Sequence, residues 1–157
     1  MGSAKVNTAA PSARFSDKPL VFVVDSEYLM LNPNRHVSVP GFGRPRNDFI
    51  VFAMVIDETG RVEMPTVSVL NTPAYDLKDP FCRFLIDAQY RPYSEAGVPK
   101  RALILVMFGI STTMQVRSEL GTHTSAPPIN LNLYRNVIRA ETPDSTVARL
   151  NSRPHCT

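Results

Sequence analysis

The apolar positions of this chain fall into runs of different period. Leu20–Val24 (LVFVV) is a short continuous apolar run with the length of a buried strand. Phe49–Ile56 (FIVFAMVI) is apolar at every position, so Phe49, Val51, Ala53 and Val55 point one way and Ile50, Phe52, Met54 and Ile56 the other. A half-buried strand would alternate with polar residues, so this one predicts burial on both faces. DETG (57–60) follows as a hairpin turn in which Gly60 can take the positive φ the turn requires. RVEMPTVSVL (61–70) reads as the returning strand, and Pro65, which has no N–H to donate, marks an edge or a bulge in it. The period then changes. Phe81, Phe84, Leu85 and Ala88 recur at i, i+3, i+4 and i+7, which predicts a helix with Asp79 as its N-cap, Pro80 at its first position and an end near Tyr90, ahead of Pro92. Arg83 and Asp87 lie four apart on its outer side and are placed to pair weakly. SEAGVPK (94–100) reads as a turn, and RALILVMFGIS (101–111) as the last strong strand.

The remaining segments lack such periods. Residues 1–19 are polar and rich in small residues, with no apolar stretch of the kind a secretory signal needs. Residues 25–48 are broken by Pro33, Pro40, Gly41, Gly43 and Pro45 and read as a loop. Pro127, Pro128, Pro143 and Pro154 divide residues 112–157 into short pieces. Within them, INLNLYRNVIRA (129–140) suits a short strand or a short helix, and Ile129, Leu131 and Leu133 alternate. The fold class expected is α+β, a small antiparallel sheet with one covering helix. The predicted boundaries are an extended N-terminal arm over 1–19, one domain over 20–112 and an extended, proline-containing C-terminal arm over 113–157.

Composition narrows the class. At 157 residues, 43% apolar and 20% charged, the chain has globular values and room for one core. No window approaches the ~20 apolar residues of a membrane helix. The formal charge of +3 is unevenly placed: residues 1–19 and 113–157 each carry a net +2, and the middle a net −1. Basic ends suit anionic lipid head groups or an acidic protein surface, and they also serve plain solubility.

Candidate chemistry adds little. Cys82 and Cys156 have no metal-like spacing; a disulfide between them stays open, but two thiols without a secretory signal favour a reducing compartment, with Cys82 as a core residue. His36, His123 and His155 are not clustered and read as loop or surface residues. Asp57 and Glu58 are better explained by the turn than by acid–base work. GFGRPR (41–46) lacks the following helix of a phosphate cradle and reads as a contact loop. Arg35, Arg44 and Arg46 with Tyr28 and Phe42 make a faint nucleic-acid pattern, which the negative balance of the middle region argues against. No catalytic residue, metal, cofactor, nucleic acid or small-molecule substrate is expected.

One resemblance does emerge from the order of the motifs. Asp57, Gly60 and Val62 in an Asp-x-x-Gly-x-Val turn, a single helix, Tyr90-Arg91-Pro92, Gly97-x-Pro99 and a closing apolar strand together resemble the C-terminal domain of TonB-type energy transducers over residues 49–111. The resemblance implies a ββαβ module and, as one partner mode, addition of a peptide strand at the edge containing Pro65 or at the final strand. The chain departs from that family in lacking its membrane anchor and long spacer, so energy coupling is not expected.

The function expected is therefore a non-enzymatic accessory subunit of a larger, membrane-embedded complex. It would be peripheral, on the cytoplasmic side or alternatively the periplasmic one, and would hold other protein subunits together through its arms. A subunit tying a photosynthetic reaction centre to its light-harvesting ring is similar in kind. Phe42, Arg44, Arg46, Tyr134, Arg135 and Arg139 are the expected partner contacts, because aromatic residues and arginine dominate anchored interfaces.

Overall fold

The computed structural model describes residues 14–24, 28–35, 37, 46–72, 77–112, 119–121 and 131–156. The two longest apolar runs form its centre. Strand β1 is Val21–Phe22, β2 is Arg46–Ile56 and β3 is Ser68–Val69; helix α1 is Lys78–Ile86. Strands β4 (Tyr93–Glu95) and β5 (Val98–Lys100) form a separate small hairpin. The long strand β6 is Ala102–Thr112, followed by β7 (Glu119–Gly121), α2 (Asn132–Arg139) and α3 (Pro143–Asn151). The main sheet runs β1–β6–β2–β3, and β7 pairs with the far end of β6. β2 and β6 pair antiparallel along their whole length, from Arg46 opposite Thr112 to Ile56 opposite Ala102. β1 runs parallel to β6.

An α+β architecture is thus present, with helices on both sides of one sheet. Ile50, Phe52, Met54 and Ile56 share a core with Phe81, Phe84 and Leu85 of α1 and with Ala88 just beyond it. Phe81 stacks on Phe108 with ring centroids 4.9 Å apart, and Phe84 meets Phe108 edge-on at 5.7 Å. Ala53 and Val55 face a second core made with Phe15, Val24, Leu103, Leu105, Ile138 and Leu150.

Both covers therefore come from this chain. The one-helix module and the extended C-terminal arm are corrected here, since residues 132–139 and 143–151 fold back as helices over the second face. The physical reason is the strand itself, whose second apolar face recruits the nearest amphipathic segments. Burial on both faces of Phe49–Ile56 is thus met within the chain, with α1 on the face of Ile50, Phe52, Met54 and Ile56.

Several boundaries move for local reasons. α1 begins after Leu77, with no side-chain cap, so Asp79 is in its first turn and not at its N-cap. It ends at Ile86, and after a turn at Asp87 the chain is taken up in bridges at Gln89 and Tyr90: Leu31 N–H donates to Gln89 O (2.6 Å), and Met30 and Arg61 form bridges with Tyr90 and Gln89. The returning strand after the turn is interrupted at Pro65 by a 3-10 turn, Met64–Thr66. There the Thr66 hydroxyl accepts the Val55 N–H at 2.9 Å, replacing a ladder bond the proline-containing segment does not make. The stretch read as a turn around Gly97 becomes the β4–β5 hairpin, with Ala96 and Gly97 at positive φ. Cys82 and Cys156 are joined in a disulfide, so of the two states left open for them the free thiols are corrected.

The residues of the 57–60 turn are held by one another and by the Tyr90 segment. Asp57 Oδ1 accepts from Thr59 N–H (2.8 Å), Thr59 Oγ1 (2.6 Å) and Arg61 N–H (3.0 Å). Gly60, at φ +88°, accepts the Tyr90 N–H on its carbonyl at 2.9 Å. Turn and Tyr90 segment are thus one contact.

Candidate partner-binding face

The second face is built by both ends of the chain. Arg101, buried at the foot of β6, makes two 2.7 Å bonds to the Glu63 carboxylate through Nε and Nη2. The same guanidinium donates to the carbonyls of Lys18 (3.0 Å), Pro19 (3.3 Å) and Phe15 (3.3 Å). One charge thereby ties residues 15–19 to the sheet, and its hydrogen bonds to Glu63 hold it still more firmly protonated than a free arginine.

α2 and α3 lie over the same core. Ile138 and Leu150 are buried, while Tyr134 and Val147 pack at the margin. α3 is started by Thr142, whose hydroxyl accepts the Ser145 N–H at 3.1 Å, and by Pro143 in its first turn. Glu141 just before it holds Arg149 through Nε and Nη2.

With Tyr134 and Ile138 turned inward, α2 presents three other strips. Leu133 and Val137, one helical turn apart, are 61% and 43% exposed. Arg135 and Arg139 lie on the opposite flank, donating at 3.1 Å to Asn132 Oδ1 and 2.9 Å to Asn136 Oδ1. Asn132 and Asn136 form the crown between them. The Nε of Arg135 is buried without a hydrogen-bond partner among the described residues. Over the whole face, residues 14–24 and 131–156 carry six basic side chains (Arg14, Lys18, Arg135, Arg139, Arg149, Arg153) against three acidic ones (Asp17, Glu141, Asp144). Residues 14–24 and 131–156, from the two basic ends, thus meet in one core.

Of the expected contacts, Tyr134, Arg135 and Arg139 share α2, and Tyr134 is half-buried against the second core. Arg46 is the first residue of β2, and Phe42 and Arg44 lie outside the described residues. Leu133 and Val137 were not singled out, because their helical spacing is informative only once residues 132–139 are read as a helix. Leu29, Leu31, Ile86 and Val98 are the other exposed large apolar side chains among the described residues.

Two other places invite a chemical reading. His155 is buried, correcting its placement on the surface; His36 and His123 lie outside the described residues. Its Nε2 is 3.1 Å from Ser68 Oγ and its Nδ1 2.6 Å from the Arg153 carbonyl. The carbonyl contact requires a proton on Nδ1, and burial together with the nearby Arg14 charge pushes the ring below its ordinary pKa. A hydroxyl beside an imidazole is half of a nucleophile–base arrangement. Ser68 is fully buried, however, and also donates to Thr66 O at 2.9 Å, so the pair is packing and not a reaction centre. The sheet edges are the other place. At β3, which follows the Pro65 turn, residues 153–155 occupy the edge along Ser68 and Val69. The final long strand, β6, lies between β2 on one side and β1 and β7 on the other.

Comparison with known proteins gives a short answer. No family model, no curated protein and no solved structure matches this chain. Among the described residues no group of three His, Cys, Asp or Glu side chains could hold a metal ion, and no helix is long and apolar enough to cross a membrane.

Proposed function

We propose that this chain is a non-enzymatic accessory subunit that docks, as a folded body, on a larger membrane-embedded complex. The observation that carries the reading is α2, where Leu133 and Val137 stand exposed on one flank and Arg135 and Arg139 lie on the other, across the crown of Asn132 and Asn136. An apolar pair supplies burial on contact, and flanking arginines supply orientation and charge-assisted bonds to an acidic partner. Docking by a folded face is preferred to strand addition because residues 153–155 already lie against Ser68 and Val69 at the β3 edge. The disulfide favours the oxidising, periplasmic side of such a membrane over the cytoplasmic one. A reaction centre with its light-harvesting ring is one complex of this kind.

Co-purification from native membranes tests the reading. Wild-type protein is expected to come off with other subunits and to be stripped by high salt. Leu133→Asp with Val137→Asp should keep the fold, as judged by circular dichroism, and lose at least ~90% of the co-purified subunits. Retention of those subunits by the folded double variant would overturn the assignment of this face.

A further inference from the structure

The C-terminal residues wrap around the sheet instead of ending on it. α3 finishes on the face of Ala53 and Val55, where Leu150 is buried. Arg153 Nε then donates to Val69 O (3.0 Å), Val69 N–H donates to Pro154 O (2.9 Å), and His155 bridges antiparallel to Ser68. One residue later Cys156 is bonded to Cys82 of α1, on the opposite face. Four residues thus pass from one core to the other over the β3 edge, with their far end held covalently.

The geometry points to a redox latch: the Cys82–Cys156 bond keeps residues 152–156 seated on the β3 edge, and its reduction by a dithiol releases them while the β2–β6 pair stays folded. The partition follows from what holds each part. β2 and β6 share an eleven-residue ladder covered on both faces. The tail has the bridge, one buried side chain, His155, whose Nε2 meets Ser68 Oγ at 3.1 Å, and a few hydrogen bonds at an edge, each of small net value. In the reaction a thiolate of the dithiol attacks one sulfur, giving a mixed disulfide and freeing the other cysteine. Its second thiol then displaces the remaining cysteine, so both cysteines become thiols and the reductant closes to a disulfide, a two-electron exchange. What is uncovered is a strand edge with unpaired main-chain groups, a template for another strand. The inference does not depend on the docking face proposed above.

Two adjacent amides provide the test. Val69 N–H faces the tail, whereas Leu70 N–H donates to Val51 O (2.9 Å) inside the sheet. Hydrogen exchange followed by NMR on the full chain, oxidised and then reduced with dithiothreitol, should show Val69 losing at least ~10-fold more protection than Leu70. Cys156→Ser should reproduce the reduced pattern without any reductant. Equal changes at both amides, no change at either, or a Cys156→Ser chain that does not fold would each overturn the latch.

Discussion

A methyl group added at Gly60 would lie 2.0 Å from the Tyr90 carbonyl oxygen, on a backbone held at φ +88°. The obstacle is main chain and cannot swing aside, so Gly60→Ala must open the contact between the turn and the Tyr90 segment. The left-handed conformation alone costs about 1–2 kcal/mol for a residue with a side chain. With the clash added, roughly 3 kcal/mol of stability should be lost, read from the urea midpoint at unchanged slope. His155 acts at the same scale through pH. Its folded-state pKa lies below the ordinary 6.5, because burial and then Arg14 disfavour the charged ring. Below pH 6.5 the unfolded chain therefore binds the extra proton first, and stability falls until the lowered folded value is passed. Unfolding free energies at pH 8 and pH 5.5 should show this loss in the wild type, and His155→Gln should flatten the difference. An equal pH dependence in both proteins would show that the imidazole is not its source. Asp57 titrates in a separate, acid range. Burial raises its pKa, but the bonds from Thr59, Arg61 and Gly60 outweigh that and hold it below 3.8, so its contribution is lost only as pH falls through that lower value.

Elements differ in how openly the sequence announces them. The two-sided apolar pattern of Phe49–Ile56 marks a central strand plainly, and the stripe Phe81, Phe84, Leu85, Ala88 marks α1. Which strand face α1 covers is not encoded there, because both faces are apolar and period two treats them alike. α3 had a local signature in Thr142-Pro143-Asp144, a cap, a first-turn proline and a first-turn acid, which is hidden when prolines are counted only as breakers. α2 is ambiguous by pattern, so Leu133 and Val137 became legible as one strip only from the helix, while the arginines of the candidate face were legible from residue type alone. The two possible N-caps can be separated by measurement. Thr142→Ala removes an observed capping bond and should cost about 1 kcal/mol, whereas Asp79→Ala, which removes no cap, should stay within about 0.5 kcal/mol. Thermal unfolding of the two variants under one buffer decides it, and the reverse order would restore Asp79 as the cap.

Across the whole molecule, the decisive relation is long-range and has no local trace. Cys82 and Cys156 are 74 residues apart, and Phe15 and Leu150 meet in one core from opposite ends of the chain. No window of sequence contains either pair, which is why the ends read as arms. Their return changes what the isolated chain should do. A sheet with one bare apolar face would need another molecule to cover it, and its apparent stability would rise with protein concentration. Here Ile50, Phe52, Met54 and Ile56 are sealed by α1, and Ala53 and Val55 by residues from both ends. The purified chain should therefore fold alone. Light scattering should give the 17.4 kDa monomer, and the thermal midpoint should be constant over a hundredfold range of concentration. A midpoint that climbs with concentration would mean that the two cores do not close without a second copy.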